Sequence, residues 1–506
     1  MFSKFLIHLP ILQVMLPLAV APLLTVLRWP QFAWAMTVLT GIAAFAGAMT
    51  LLSMTLTTGV ISYHLGAWPP PWGIELRIDV LNAFVLVLVS GISAVTFIYA
   101  RRSVAREIAP DAQPLFYTML LLCFAGMLGI TITGDAFNLF VFLEIASLSA
   151  YVLVAMGANQ DKRALTAAYT YLIMGTIGAS FYVIGLGLLY MITGTLNMAD
   201  IAARIAGMTD SRTLHMAFAF VIIGFALKFA LFPMHLWLPN AYTYAPSTVS
   251  VFLSGVAAKV AIYAALRFTY TVFSMDFLFV AQTLKFIYLP LGIAAIIFAS
   301  AVAIFQTNVK RILAYSSLAQ IGYITLGVSF ANLTGLMAAI IQLFNHAMMK
   351  GGLFMAVGCV VYRTGSSSIA SFRGLGHQMP WTMAAFVIGG LSLVGMPATI
   401  GFVGKWYLLI GAFEAGWWPV VAAMVVGSIL TLVYVWRIIE AAYLQPAPDG
   451  QHVAEAPLSM LVPLWALTIS CLALGIDSEF TVSVARVAAE TLFHDPHLGL
   501  PVKAGL

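Results

Sequence analysis

Apolar residues run in long blocks along nearly the whole chain, and polar residues fall mostly between the blocks. A helix needs ~20 apolar residues to cross the hydrocarbon core of a bilayer. By that rule the pattern predicts fourteen spanning helices, over residues 5–27, 32–57, 79–99, 115–133, 136–157, 164–191, 214–231, 246–270, 284–305, 310–329, 333–362, 380–411, 418–442 and 458–476. Pro233 and Pro397 interrupt the seventh and twelfth, because proline lacks the backbone donor that a helix interior needs. The connections are short. The longest, near 442–457 (QPAPDGQHVAEAP), reads as a solvated loop, and the weakly amphipathic stretch after 476 is given no role. Met1 to Val26 resembles a cleaved leader, with Ala19-Val20-Ala21 as the cut site. Pro22 follows directly and further spans come after it, so this block reads as the first membrane helix.

Composition agrees with a bilayer as solvent. The chain of 506 residues is 62% hydrophobic and 8% charged, against ~25% charged in soluble domains. The expectation is one all-α polytopic membrane domain over 1–506. The net charge of +5 is scattered, with no basic cluster that would hold nucleic acid. Cys123, Cys359 and Cys471 stand alone in apolar segments, which argues against zinc, an iron–sulfur cluster or a disulfide framework. No glycine-rich phosphate loop lies in a suitable context. No cofactor or metal is therefore expected, and no redox or hydrolytic chemistry in this chain.

Lys and Arg in the connections indicate sidedness. Odd-numbered connections hold Arg28, Arg101, Arg102, Arg106, Lys162, Arg163, Lys310, Arg311, Arg363, Arg373 and Arg437. Even-numbered ones hold Arg77, Arg204, Arg212, Arg267 and Lys285. Eleven against five puts the odd connections in the cytoplasm and both termini on the periplasmic or outer side.

The chemistry lies in charges placed within the apolar blocks: Glu144, Lys228, Lys259, Lys350 and Lys405, joined by His346. Each charge at a helix centre costs at least ~2.5–3.5 kcal/mol. One lysine alone could reach the interface along its stem; the set as a whole calls for a function. Ser147 and Tyr151 share the helical face of Glu144, and Tyr263 that of Lys259. Gln342, His346 and Lys350 form one stripe at i, i+4 spacing. Asp135 fits a helix N-cap, with a site role as the rival reading, and His235 follows the Pro233 break. An amine taken out of water holds its proton less tightly, so a row of lysines and a histidine can relay protons. Glu144 and Lys228 would form the switch.

These residues carry a resemblance. The chain resembles the antiporter-like subunits shared by respiratory complex I and the multisubunit Mrp-type cation/proton antiporters. FNLFVFLEIASLSAYVL looks like the fifth helix of that family, LKFALFPMHLWLPNAYTYAPSTVS like its seventh, FNHAMMKGG like its eleventh and GMPATIGFVGKW like its broken twelfth. HLWLPNAY is the most specific of these stretches. The resemblance implies two inverted five-helix repeats, helices 4–8 (115–270) and 9–13 (284–442), flanked by 1–99 and 458–476. It also implies a relay through Glu144, Lys228, Lys259, His346, Lys350 and Lys405, with Asp135, His235 and Tyr263 as accessory candidates. YHLGAWPPPWGIELRID (63–79) resembles the D-type member of the Mrp antiporters, which is placed first. N-type members of complex I and hydrogenase membrane arms follow. The implied partners are other membrane subunits in a hetero-oligomer in the cell inner membrane. Protons are the implied ion, with sodium as a further candidate.

Overall fold

The computed structural model describes residues 6–208, 210–448 and 452–494. Residues 449–451 of the long loop and the end of the stretch after 476 lie outside them, as do both chain ends, whose outer placement was expected.

Among the described residues, twelve helices are long and apolar enough to cross a membrane. They are α1 (Leu9–Leu27), α2 (Pro30–Thr58), α3 (Val80–Glu107), α4 (Gln113–Ile132), α5 (Ala136–Ala155), α6 (Arg163–Thr193), α10 (Ser247–Val272), α11 (Leu278–Ile304), α12 (Val309–Ser329), α13 (Leu333–Thr364), α16 (Trp418–Tyr443) and α17 (Leu458–Ile476). Two interrupted pairs complete the bundle: α8 (Arg212–Lys228) with α9 (Trp237–Tyr244), and α14 (Pro380–Val394) with α15 (Ile400–Glu414). Short α7 (Met198–Ile205) and terminal α18 (Glu479–His494) were not foreseen. The protein is an all-α polytopic membrane protein.

Burial sorts the helices. In α3, α4, α10, α12 and α13 the protein covers 83–94% of the most apolar stretch, against 33–50% in the other long helices. The first group is the centre and the second faces lipid. Lys259 and the Gln342–His346–Lys350 stripe lie on central helices, walled by protein on every side.

The only strands among the described residues, β1 (Ile61–His64) and β2 (Glu75–Ile78), pair antiparallel with Ile61 opposite Ile78. They depart from an all-helical expectation because β-branched and aromatic residues alternate there between helices. The hairpin is tied down by a bridge from Leu76 to Thr133 and by Asn197 Nδ2 donating to Glu75 at 2.9 Å. The stretch after 476, given no role above, forms α18. Its buried Val484, Ala485, Ala488 and Leu492 pack it against α3 and α13, a face that apolar spacing alone does not distinguish from a solvated helix.

Two tally positions also change. Arg267, counted as a loop charge, lies in the last turns of α10, where it makes a buried bidentate pair with Asp79, the N-cap of α3, at 2.7 and 2.9 Å. Lys310, counted likewise, is buried at the start of α12. One leaves each side, so the charge bias keeps its sign.

Candidate functional site

Proline sets both interruptions. The residue before proline is pushed out of helical backbone, so α8 stops at Lys228, upstream of Pro233. Ala230 turns to φ 61° and Leu231 N donates to Ala226 O at 2.9 Å. The carbonyl of Leu227 accepts from Trp237 Nε1 at 3.0 Å, which closes a group that lipid would leave unpaired. Trp237 stacks on Tyr171 at 4.1 Å, and Tyr171 meets Tyr151 edge-on at 4.6 Å. The break is thus braced against the polar face of α5.

At this point Lys228 and Glu144 meet. The ammonium of Lys228 lies 3.4 Å from Glu144 Oε1 and donates to Ser147 Oγ at 2.8 Å. The Lys228 side chain is 7% exposed, while the Glu144 side chain keeps 28% of its surface open. Among the expected relay residues this is the one direct ion pair.

Lys259 is held otherwise. Leu253–Ala257 is a π-helical turn within α10, which loosens the regular ladder. Lys259 Nζ donates to the carbonyl of Ser254 in that turn. His346 is fully buried on α13, one turn before Lys350, with neither ring nitrogen hydrogen-bonded. Lys350 donates to Leu313 O at 2.9 Å and to Ser316 Oγ, both on α12. One turn before His346, Gln342 Nε2 donates to Gln320 Oε1 at 2.6 Å, and Asn345 Nδ2 donates to Ile400 O at 2.6 Å. Gly404 makes room for that stripe, since a Cβ there would lie 2.1 Å from Gln342 Oε1.

Lys405 sits across the second break. It donates to Val394 O at 2.7 Å and Leu393 O at 3.2 Å, the closing carbonyls of α14, and to Ser428 Oγ at 3.0 Å. Its ammonium also lies 4.9 Å from the Tyr323 ring centroid. Gly395 has φ 94°, where a Cβ would meet Lys405 Cδ at 2.8 Å. The other end of α14 receives a carboxylate from the 442–457 loop: Glu455 Oε2 accepts from Trp381 N at 2.8 Å and Oε1 from Thr382 Oγ1 at 2.6 Å.

The accessory candidates have structural partners. Asp135 caps α5, accepting from Asn138 N at 2.6 Å. Tyr263 gives its hydroxyl to Thr131 O at 2.9 Å and accepts from Arg267. His235 is half-buried, stacked on Phe232, with Nδ1 unpartnered. Sequence reasoning missed Glu107 and Lys310, buried charges on a polar cavity of about 500 Å³. The position of Lys310 at the first turn of a predicted span was the available signal.

The profile of a transmembrane family described as NADH:quinone oxidoreductase/Mrp antiporter matches residues 133–431. The N-type member of the NADH-quinone oxidoreductase of Desulforudis audaxviator is 43% identical over 94% of this chain and 97% of its own length. The D-type member of the Na(+)/H(+) antiporter of Bacillus subtilis is 28% identical over 88% of each. A chain of the solved Mrp complex from Dietzia sp. superimposes with a TM-score of 0.89 at 26% identity, covering 98% of this chain and 99% of that one.

Proposed function

This chain belongs to the transmembrane family of NADH:quinone oxidoreductase and Mrp antiporter subunits, and on that premise we propose that it is the N-type, proton-translocating subunit of a quinone oxidoreductase-like membrane assembly. Identity along most of the chain supports N over D, at 43% for one N-type relative against 28–30% for two D-type relatives. The D-type expectation rested on 63–79, one hairpin, which is a small sample of the chain.

The observation that carries the relay is how the lysines are held. Lys259, Lys350 and Lys405 are buried, and hydroxyl and carbonyl oxygens, not carboxylates, accept from them. An ammonium without a counter-charge in a low-dielectric site gives up its proton readily. Lys228 alone has an anion beside it. Movement of Glu144 away from Lys228 would free its proton towards Lys259. His346 and Lys350 carry it on, and Lys405 exchanges with one aqueous side.

Two inverted five-helix units over 115–270 and 284–442 belong to this reading, giving fourteen crossings when each interrupted pair counts as one. The fourth member of each unit is the interrupted one, which supports it. Glu144 is partly open on a flank lined by exposed Phe137, Val141 and Leu148. A carboxylate facing lipid is costly, so a neighbouring subunit covers it. The arginine-rich face is assigned to the cytoplasm of an inner membrane.

The likeness to the Mrp complex favours a second reading, a cation/proton antiporter subunit using the same relay with sodium moved by the assembly. Affinity purification of the intact assembly separates the two. Flavin and iron–sulfur subunits are expected alongside this chain; small antiporter subunits in their place would overturn the N-type assignment. In vesicles, Glu144→Gln should slow proton movement roughly 10²-fold, the effect of losing a positioned acid–base group. Wild-type rates would sink the relay.

A further inference from the structure

Glu107, the last residue of α3, and Lys310, the second of α12, are buried charges that the relay leaves unused, 9% and 5% exposed. Both line the cavity of about 500 Å³, whose wall draws on the third, fifth, seventh, ninth and eleventh connections. All the odd-numbered connections from the third to the eleventh meet there, so the cavity opens on the arginine-rich face.

A buried charge needs partners. Glu107 Oε1 accepts from Ser103 Oγ at 3.0 Å, and Oε2 from the backbone N–H of Ser247, where α10 begins, at 2.8 Å. Lys310 donates to Ala245 O at 3.0 Å, in the turn between α9 and α10. The two charges share the cavity without forming a direct ion pair. Asp161, the other carboxylate of the wall, is engaged at 2.7 Å by Arg163, whose hydrogen bond holds its carboxyl below the usual carboxylate range. Among the described residues of the wall, Glu107 is then the carboxylate with no cation bonded to it.

From Glu107 a line of oxygens leads inward. Ser247 and Thr248 carry buried hydroxyls with no hydrogen-bond partner. Seven residues on from Ser247, on the same face, Ser254 offers its carbonyl to Lys259. The second wall leads inward too: α12 carries Lys310, then Leu313 and Ser316, which accept from Lys350. Polar walls around a space of this size hold ordered water.

We propose that this cavity is the aqueous intake of the proton relay, where Glu107 accepts a proton from water and the hydroxyls of Ser247 and Thr248 pass it towards Lys259. Lys310 is a positioning residue, which holds the carbonyl of Ala245 two residues before the Ser247 N–H that meets Glu107. The inference rests on the relay reading above.

The test uses the whole assembly in sealed vesicles. Glu107→Gln should slow proton movement roughly 10-fold or more, as loss of a positioned proton carrier does, and Glu107→Asp should keep most of the rate. Added formate, a small diffusible acid, should restore Glu107→Gln. A slow variant that formate does not rescue assigns Glu107 a structural role and overturns the proposal. So does a wild-type rate in Glu107→Gln while Glu144→Gln is stopped, which leaves the relay standing. If Glu144→Gln also runs at the wild-type rate, relay and intake fall together. Independently, Ser367→Cys should react with an impermeant maleimide from one side only, Cys123, Cys359 and Cys471 being buried. A cysteine there that is unreactive from both sides would refute an aqueous intake.

Discussion

Lys228 lies closer to a hydroxyl than to its carboxylate, 2.8 Å to Ser147 and 3.4 Å to Glu144. The two contacts do different work. Ser147 orients the ammonium, while Glu144 supplies charge. Ser147→Ala should therefore slow proton movement roughly 10-fold, less than Glu144→Gln, since a hydrogen bond to a charged group is worth about 1.5 kcal/mol at the low end and the ion pair persists. Equal loss in Ser147→Ala and Glu144→Gln would deny Glu144 its separate part. At the second break, Gly395→Ala should cost about 1–2 kcal/mol for left-handed backbone. It should also displace the stem of Lys405, read as a lower melting temperature together with slower transport. The lysines themselves were legible, because a cation inside an apolar block has no cheap explanation. Their acceptors were not: Ser316, Ser428 and the carbonyl of Ser254 come from other helices or from the backbone, and no spacing marks them.

At the scale of elements, the buried Arg267–Asp79 pair ties the end of α10 to the start of α3. Removing one partner of a buried pair typically costs about 3–5 kcal/mol, because the other charge is left alone. Asp79→Asn should lower the melting temperature of the purified assembly strongly, and Asp79→Asn with Arg267→Met should recover much of it. A double variant no better than the single one would show that the pair is not the source of the loss. The breaks at Pro233 and Pro397 could be read from sequence, as proline states its own effect on a helix. The π-helical turns of α10 could not, since Leu253–Ala257 and Arg267–Val272 contain no proline to mark where the ladder shifts. Arg267 was misplaced for a related reason: a charge near a span end looks the same whether it meets water or a distant aspartate.

For the whole molecule, the connections divide into two faces. The odd ones from the third to the eleventh gather around the Glu107 cavity, and the second, fourth, sixth and eighth around the hairpin, Asn197 and Arg267. Cysteines replacing exposed Asp111 and Asp276 should therefore react with an impermeant reagent from opposite sides of a sealed vesicle. Reaction of both from one side would break the alternation. Alternation was legible in the arginine count, because it is a sum over many residues and survives two misplacements. The burial of α18 was not, since it depends on faces of α3 and α13 far away in sequence.

α14 carries a consequence of its own. Peptide dipoles along a helix sum to partial positive charge at the start and negative charge at the end. Glu455 sits against the starting N–H groups of α14, and the ammonium of Lys405 against its closing carbonyls. The half-helix is a short oriented rod with a complementary charge at each tip. If Lys405 gives up its proton, as the proposed relay requires, the inner tip loses its cation and the rod is held from the loop end alone. Whether a proton is present at Lys405 then becomes a matter of how firmly half a helix is seated, and chemistry at one nitrogen is transmitted as mechanics to the surface loop.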